Sequence, residues 1–189
     1  MMNTHLCVAI YLTHTQADEA LSRLQIAGFG MNHLSFAGRD TWSNAVGSYA
    51  TGERSKYCGP QGDFWEKLWA ILAGRGVFCS DQEGPTLIAG PLVQTILTAL
   101  KQEFPIEYGF KTGLSTLDIP EESVVEYDKA LNNHQILLFL SGDLEEVNRA
   151  RGVLYETKAI NHTLHHGAGK YLSLKVTENH ERPFRDDNS

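Results

Sequence analysis

The chain has 189 residues, 16 Lys and Arg against 23 Asp and Glu, a formal net charge of −7 and three cysteines. That length suits one domain with a core of its own. The acidic balance and the lack of any basic run argue against a nucleic-acid partner, whose affinity would rest on clustered Lys and Arg. Cys7, Cys58 and Cys79 are odd in number and lack CxxC spacing, and residues 1–12 lack the basic start of a signal peptide, which together predict a cytoplasmic protein with reduced thiols.

Taken in order, the apolar run at residues 5–12 predicts a buried strand. Ala17, Ala20, Leu21, Leu24 and Ala27 recur at helical spacing, Gly28 closes that helix as a C-cap, and a second strand leaves through residues 36–40. Residues 41–62 form a long loop holding Trp42, Tyr49 and Tyr57. Asp63 then caps a predicted helix over 64–73 with Phe64, Trp65, Leu68, Trp69, Ile71 and Leu72, and Gly74-Arg75-Gly76 breaks it. A second apolar helix is expected from near Pro85 and includes Leu87, Ile88, Leu92, Val93, Ile96, Leu97 and Leu100. The pair would make an apolar helical hairpin over 63–104, followed by an irregular stretch at 106–116.

Asp118-Ile119-Pro120-Glu121-Glu122 opens another helix with cap, proline and acidic first turn in the expected order, and it runs to about Leu131 on Val124, Val125, Tyr127 and Leu131. Residues 134–166 then read as strand, helix, strand. An apolar run at 135–140 is followed by Asp143 as N-cap, Glu145 and Glu146 in the first turn, and Leu144, Val147, Ala150, Val153 and Leu154 along one face. Residues 166–169 suggest a hairpin turn, and 171–176 alternate as an edge strand should, with Leu172, Leu174 and Val176 on one side. The tail at 178–189 is charged and polar, and disorder is expected there.

An offset of 129 residues separates both His5 from His134 and His33 from His162, so the two strand-helix-strand stretches have the same length. This predicts a duplicated βαβ unit and an α/β (α+β) sandwich built on a ferredoxin-like sheet, with the helical hairpin inserted at its middle and a C-terminal edge strand. One domain is expected over 1–177, divided into a first repeat at 5–38, an inserted loop and hairpin at 39–116, a helix with the second repeat at 117–166, and the edge strand at 170–176.

The order of these elements resembles a bacterial family, the heat-induced general stress proteins and their uncharacterised relatives. The stretches that carry it are VAIYLTHTQADEALSRLQIAGFGMNHLSFAGRD at 8–40, AGPLVQTILTAL at 89–100 and LDIPEESVVEYDKALNNHQILLFLSGDLEEVNRARGVL at 117–154. The resemblance implies the fold and a stress-type role, and no catalytic residues. Members are typically glycine-rich and apolar in the middle, whereas this chain has Trp65, Lys67, Trp69, Arg75, Asp81 and Glu83 there.

Histidines supply the main candidate chemistry. His162, His165 and His166 lie at one strand end, where a period of two puts His162 and His166 on one face and His165 on the other. His5, His33, His134 and His162 occupy equivalent strand ends, which reads as polar ends inherited through the duplication ahead of pairs that could hold zinc, copper or nickel. With no Cys or carboxylate completing a ligand spacing, no metal, cofactor or catalytic residue is predicted. Gly74-Arg75-Gly76 and Gly167-Ala168-Gly169-Lys170 contain GxG but do not open a helix after a strand, so both read as turns. Cys58 beside Lys56 reads as an ordinary surface cysteine rather than a reactive thiol.

Residues 84–100 carry no charge but fall short of a membrane span, and they lack the Lys and Arg of an interfacial helix. The hairpin is therefore expected to cover a sheet face or to join copies of the chain, ahead of lying on a membrane. The predicted function is a soluble, non-enzymatic stress-type protein that self-associates or binds a partner through this hairpin and the loop carrying Trp42 and Tyr57. The alternative is a small-molecule site or enzyme pocket lined by Trp65, Trp69, Tyr57 and a histidine.

Overall fold

Residues 4–40, 59, 61–78, 84–100 and 109–168 are described by a computed structural model. Every residue of strand β1 (His5–Tyr11) is buried. Its alternate side chains enter two separate cores, Cys7, Ala9 and Tyr11 on one face and Leu6, Val8 and Ile10 on the other. Helix α1 (His14–Ile26) follows, its N-cap Thr13 accepting from the Gln16 amide. It ends at Gly28, whose φ of 80° lets the Phe29 and Gly28 amides turn back onto the Leu24 and Gln25 carbonyls. Strand β2 (Leu34–Arg39) is again buried throughout.

Between β2 and the second half of the chain lie α2 (Gly62–Ile71), β3 (Arg75–Phe78), β4 (Thr86–Ala89), α3 (Leu92–Leu100) and α4 (Gly109–Ser115). Helix α5 (Glu121–Asn132), β5 (Ile136–Gly142), α6 (Leu144–Tyr155) and β6 (Asn161–His165) complete the described residues. Asp143 caps α6 through the Glu146 amide at 2.8 Å, as the sequence suggests. The six strands make one sheet in the order β3-β4-β2-β5-β1-β6, and every pairing is antiparallel. Helices cover both faces. Ala20, Leu24, Trp65, Leu68, Val147 and Leu154 of α1, α2 and α6 fill one core, while Leu92, Ile96, Leu114, Tyr127 and Leu131 of α3, α4 and α5 fill the other. The chain is thus a mixed α/β structure with six helices and an open six-stranded antiparallel sheet among the described residues.

The expected helical hairpin over 63–104 is corrected. Residues 86–89 are strand β4, paired with β2 and with β3, and the helices on either side of this β-hairpin lie on opposite faces of the sheet. A four-residue apolar run looks alike in a strand and in a buried helix, so periodicity does not separate the two. Gly90 decides the matter: its φ is 97°, and a Cβ there would lie 2.2 Å from the Leu34 carbonyl oxygen. The helix therefore starts beyond Pro91 and not near Pro85. Likewise Gly74, with φ 99°, is a turn, but Arg75 and Gly76 belong to β3.

Residues 109–115, expected to be irregular, form α4. Two glycines and a threonine in seven residues carry little helical propensity. Packing explains the glycine, since a Cβ on Gly113 would lie 2.2 Å from Ile96 Cδ1 and 3.3 Å from Ile96 Cα on α3. Val125 and Leu144, read as core-facing, are 44 % and 42 % exposed. The loop with Trp42, Tyr49 and Tyr57, the cysteines Cys58 and Cys79, the edge strand expected at 170–176 and the tail at 178–189 lie outside the described residues.

Candidate functional site

Arg39 is the last residue of β2, and Thr86, the first of β4, stands opposite it in register. The sheet would normally leave so long a cation at its rim, yet the Arg39 side chain is only 5 % exposed. Helix α5 supplies the reason. Asp128 and Asn132 are one turn apart on the helix face that packs toward β2. Arg39 Nε donates to Thr86 Oγ1 at 3.0 Å, one terminal nitrogen donates to Asn132 Oδ1, and the other lies 3.5 Å from Asp128 Oδ1. Lys111 of α4 pairs with the second Asp128 oxygen at 3.0 Å. Strand β4 and helix α5 therefore meet β2 on one guanidinium, and α4 joins them through Asp128.

His134 completes this cluster. It sits at the left-handed position that ends α5, with φ 57°, where glycine is usual. Its amide bonds the Leu131 carbonyl at 2.9 Å, and its Nδ1–H donates to the Arg39 carbonyl oxygen at 3.0 Å. The arrangement clamps α5 to the rim of the sheet. Its groups bond to one another, which suits holding. The sequence reading missed Arg39, Asp128, Lys111, Thr86 and Asn132. Asp128 was the available signal, a carboxylate lying inside the apolar stripe made by Val124, Tyr127 and Leu131.

The histidines at the repeated strand ends make other contacts than pairs with one another. His5 meets His166, ring centroids 5.3 Å apart and edge to face, and His5 Nδ1 accepts from the Gly167 amide at 3.3 Å. His162 packs on Tyr155 at 5.1 Å. His165 lies on the opposite sheet face from His162, as the strand period requires, and its Nε2 is 2.6 Å from the Tyr127 hydroxyl. His166 has left the strand and lies in the following turn, so it shares no face with His162. Burial lowers the pKa of both His162 and His165 below the ordinary histidine value, offset for His162 by a backbone bond at Leu154 and for His165 by the Glu126 carboxylate. Burial also pushes the Tyr127 phenol up. Among the described residues no three His, Cys, Asp or Glu side chains come together as a metal site would need.

The tryptophans expected to line a pocket both donate hydrogen bonds within the fold. Trp65 is fully buried and donates to Gln61 Oε1 at 3.3 Å. Trp69 donates to the Ile88 carbonyl oxygen at 3.0 Å, and the Arg75 guanidinium lies 4.1 Å above its ring. A cleft of about 360 Å³ does exist, but it lies at the starts of α1 and α2, lined by His14, Thr15, Asp18, Gln61, Asp63, Phe64 and Lys67. Lys67 and Asp18 pair across it. Cys7 is buried and unpaired, and burial pushes its thiol up to about 11, so it is no nucleophile at neutral pH.

Large apolar side chains are exposed at one end of the sheet's β1/β6 margin. Leu12, Tyr155 and Ile160 are 56 %, 67 % and 51 % exposed. The Ile160 amide bonds the Ile10 carbonyl, and Tyr155 covers His162 of β6, which places Ile160 and Tyr155 beside one strand start. No helix among the described residues is long and apolar enough to cross a membrane. No family model, curated protein or solved structure matches the chain.

Proposed function

We propose that the protein is a non-enzymatic association module that joins copies of itself through the β1/β6 margin. The observation that carries this is the exposure of Leu12, Tyr155 and Ile160 around the start of β6. The inserted helices offer less, because α2 and α3 turn Phe64, Trp65, Leu68, Leu92, Val93 and Ile96 into the two cores. The bonding of the Arg39 cluster's groups to one another, and the packing of the shifted histidine and tyrosine groups against one another, favour association over catalysis.

The stress-type role stays with the sequence resemblance, and the strand order β2-β5-β1-β6 supports a ferredoxin-like duplicated core. Helices α1 and α6 end at Ile26 and Tyr155, which keeps the 129-residue offset. The unpaired buried thiol of Cys7 suits a reducing, cytoplasmic setting. Native mass spectrometry and sedimentation test the association: the wild type should run as a dimer or larger at high micromolar concentration, and Tyr155→Lys with Ile160→Lys should run as a folded monomer. A monomeric wild type overturns the reading.

A second reading is favoured by the cleft between α1 and α2, whose size falls in the range of small-molecule sites. Its His14, Asp18, Asp63 and Lys67 lining fits a small zwitterionic or polar metabolite. A thermal-shift panel of such compounds, repeated on Lys67→Ala, tests it. A shift lost in the variant supports the cleft, and a flat panel removes it.

A further inference from the structure

We propose that His5, His165 and His166 form a proton-sensitive clasp that holds the end of β6 and its following turn to the sheet, and that acid opens this end locally. Residues 165–168 leave the sheet beside the N-terminal end of β1, where Leu6 is the register partner of His165. Each side-chain bond or ring contact described for residues 165–167 involves a histidine. His165 Nε2 meets the Tyr127 hydroxyl at 2.6 Å, His5 Nδ1 accepts the Gly167 amide at 3.3 Å, and the His166 ring stands edge-on to His5. The Ala168 side chain is buried against the core of α5, so the turn is fastened on both sides.

Protonation acts on these contacts in one direction. The bond from the Gly167 amide requires His5 Nδ1 to carry no proton, so a proton there replaces an attraction by two opposed N–H groups. The neutral His165 ring accepts the phenol's hydrogen when its own proton is on Nδ1. A cationic ring turns this bond round, Nε2–H donating to the phenol oxygen, and its cost is the charge placed among Leu6, Phe139 and Tyr127. Two charged rings at the His5–His166 spacing also repel.

Among the described residues, the ionisable groups beside the clasp come from α5 and α6. From α5, Glu126 favours a charged His165, and its carboxylate also accepts from Asn161 at 2.8 Å. From α6, the Glu146 carboxylate lies over Gly142, the register partner of His5 on β5. The neighbouring β1 side chain at the His165 register position, Leu6, does not titrate. Glu126 makes protonation of the folded His165 ring easier and so works against acid opening, while burial, the larger influence, disfavours the charged ring in the closed state and works for it.

Hydrogen exchange of the full chain, corrected for the intrinsic pH dependence of amide exchange, tests this. On going from mildly alkaline to mildly acidic buffer, protection of the β6 amides and of Gly167 should fall by about tenfold or more, with β5 amides unchanged. His5→Asn with His165→Gln keeps an acceptor at each place but removes the titration, and it should abolish the change. PH-independent β6 protection in the wild type overturns the proposal, as does an equal fall in β5, which would be global unfolding. Should the double variant not fold, NMR titration of the wild type decides. Midpoints for the β6 amides that coincide with imidazole titration support the clasp, and midpoints in the carboxylate range refute it.

Discussion

Two polar regions fasten this sheet, and they differ in what can undo them. At the β2 rim a guanidinium, a carboxylate and an ammonium lock α5 in place, with His134 donating to the Arg39 backbone. At the far end of β6 three imidazoles do the corresponding work. Arg39 keeps its charge throughout the range in which imidazoles change theirs. The first region is thus a permanent joint and the second a conditional one.

The largest effect is expected at the permanent joint. Arg39→Met leaves Asp128 buried with Lys111 alone and strips Thr86 and Asn132 of their partner, at a cost of about 3 kcal/mol read by urea denaturation. A loss near zero would mean that the cluster is no joint at all. Next comes Tyr127→Phe, which removes the buried partner of His165 and should cost about 1–2 kcal/mol. It should also raise β6 exchange while leaving the β2 rim protected, and a uniform rise would break the distinction between the regions.

Acidification should produce a smaller, graded loss. His162 and His165 have folded pKa values lowered by burial, so above the unfolded value of about 6.5 their contribution is intact. As pH falls below that point the unfolded chain takes up protons that the folded chain resists, and stability falls until the lower folded values are passed. Melting temperature followed downward from neutrality should drop, less steeply in His165→Gln. The smallest change is expected for Lys111→Met. Lys111 is 41 % exposed, so water screens its pairing with Asp128, and a loss below about 1 kcal/mol is expected. A loss equal to that of Arg39→Met would mean that the ammonium, not the guanidinium, holds α5.

Local chemistry was legible wherever one residue answers to its nearest neighbours in the chain. Asp143 caps α6 because its carboxylate reaches an amide three residues on, and Gly28 ends α1 because it can adopt a positive φ. The opposite placement of His162 and His165 follows from the two-residue strand period. Residues 86–89 were not legible, since the same apolar run serves either a strand or a helix, and only the approach of Gly90 to Leu34 excludes the helix start. The Arg39 joint was hidden for a similar reason. Its members come from residues 39, 86, 111, 128, 132 and 134, of which only 128 and 132 share a helical spacing, so no linear pattern joins them to Arg39.

The sequence by itself determined the short-range outcomes, namely the caps, the turns and the alternation that makes buried strands, because each depends on contacts within a few residues. Tertiary structure alone decided which strand lies beside which, that the inserted segment adds β3 and β4 to the sheet, and that Arg39 is buried. A charge so placed is tolerated only where partners from other elements converge on it, and that convergence exists only once the chain has folded.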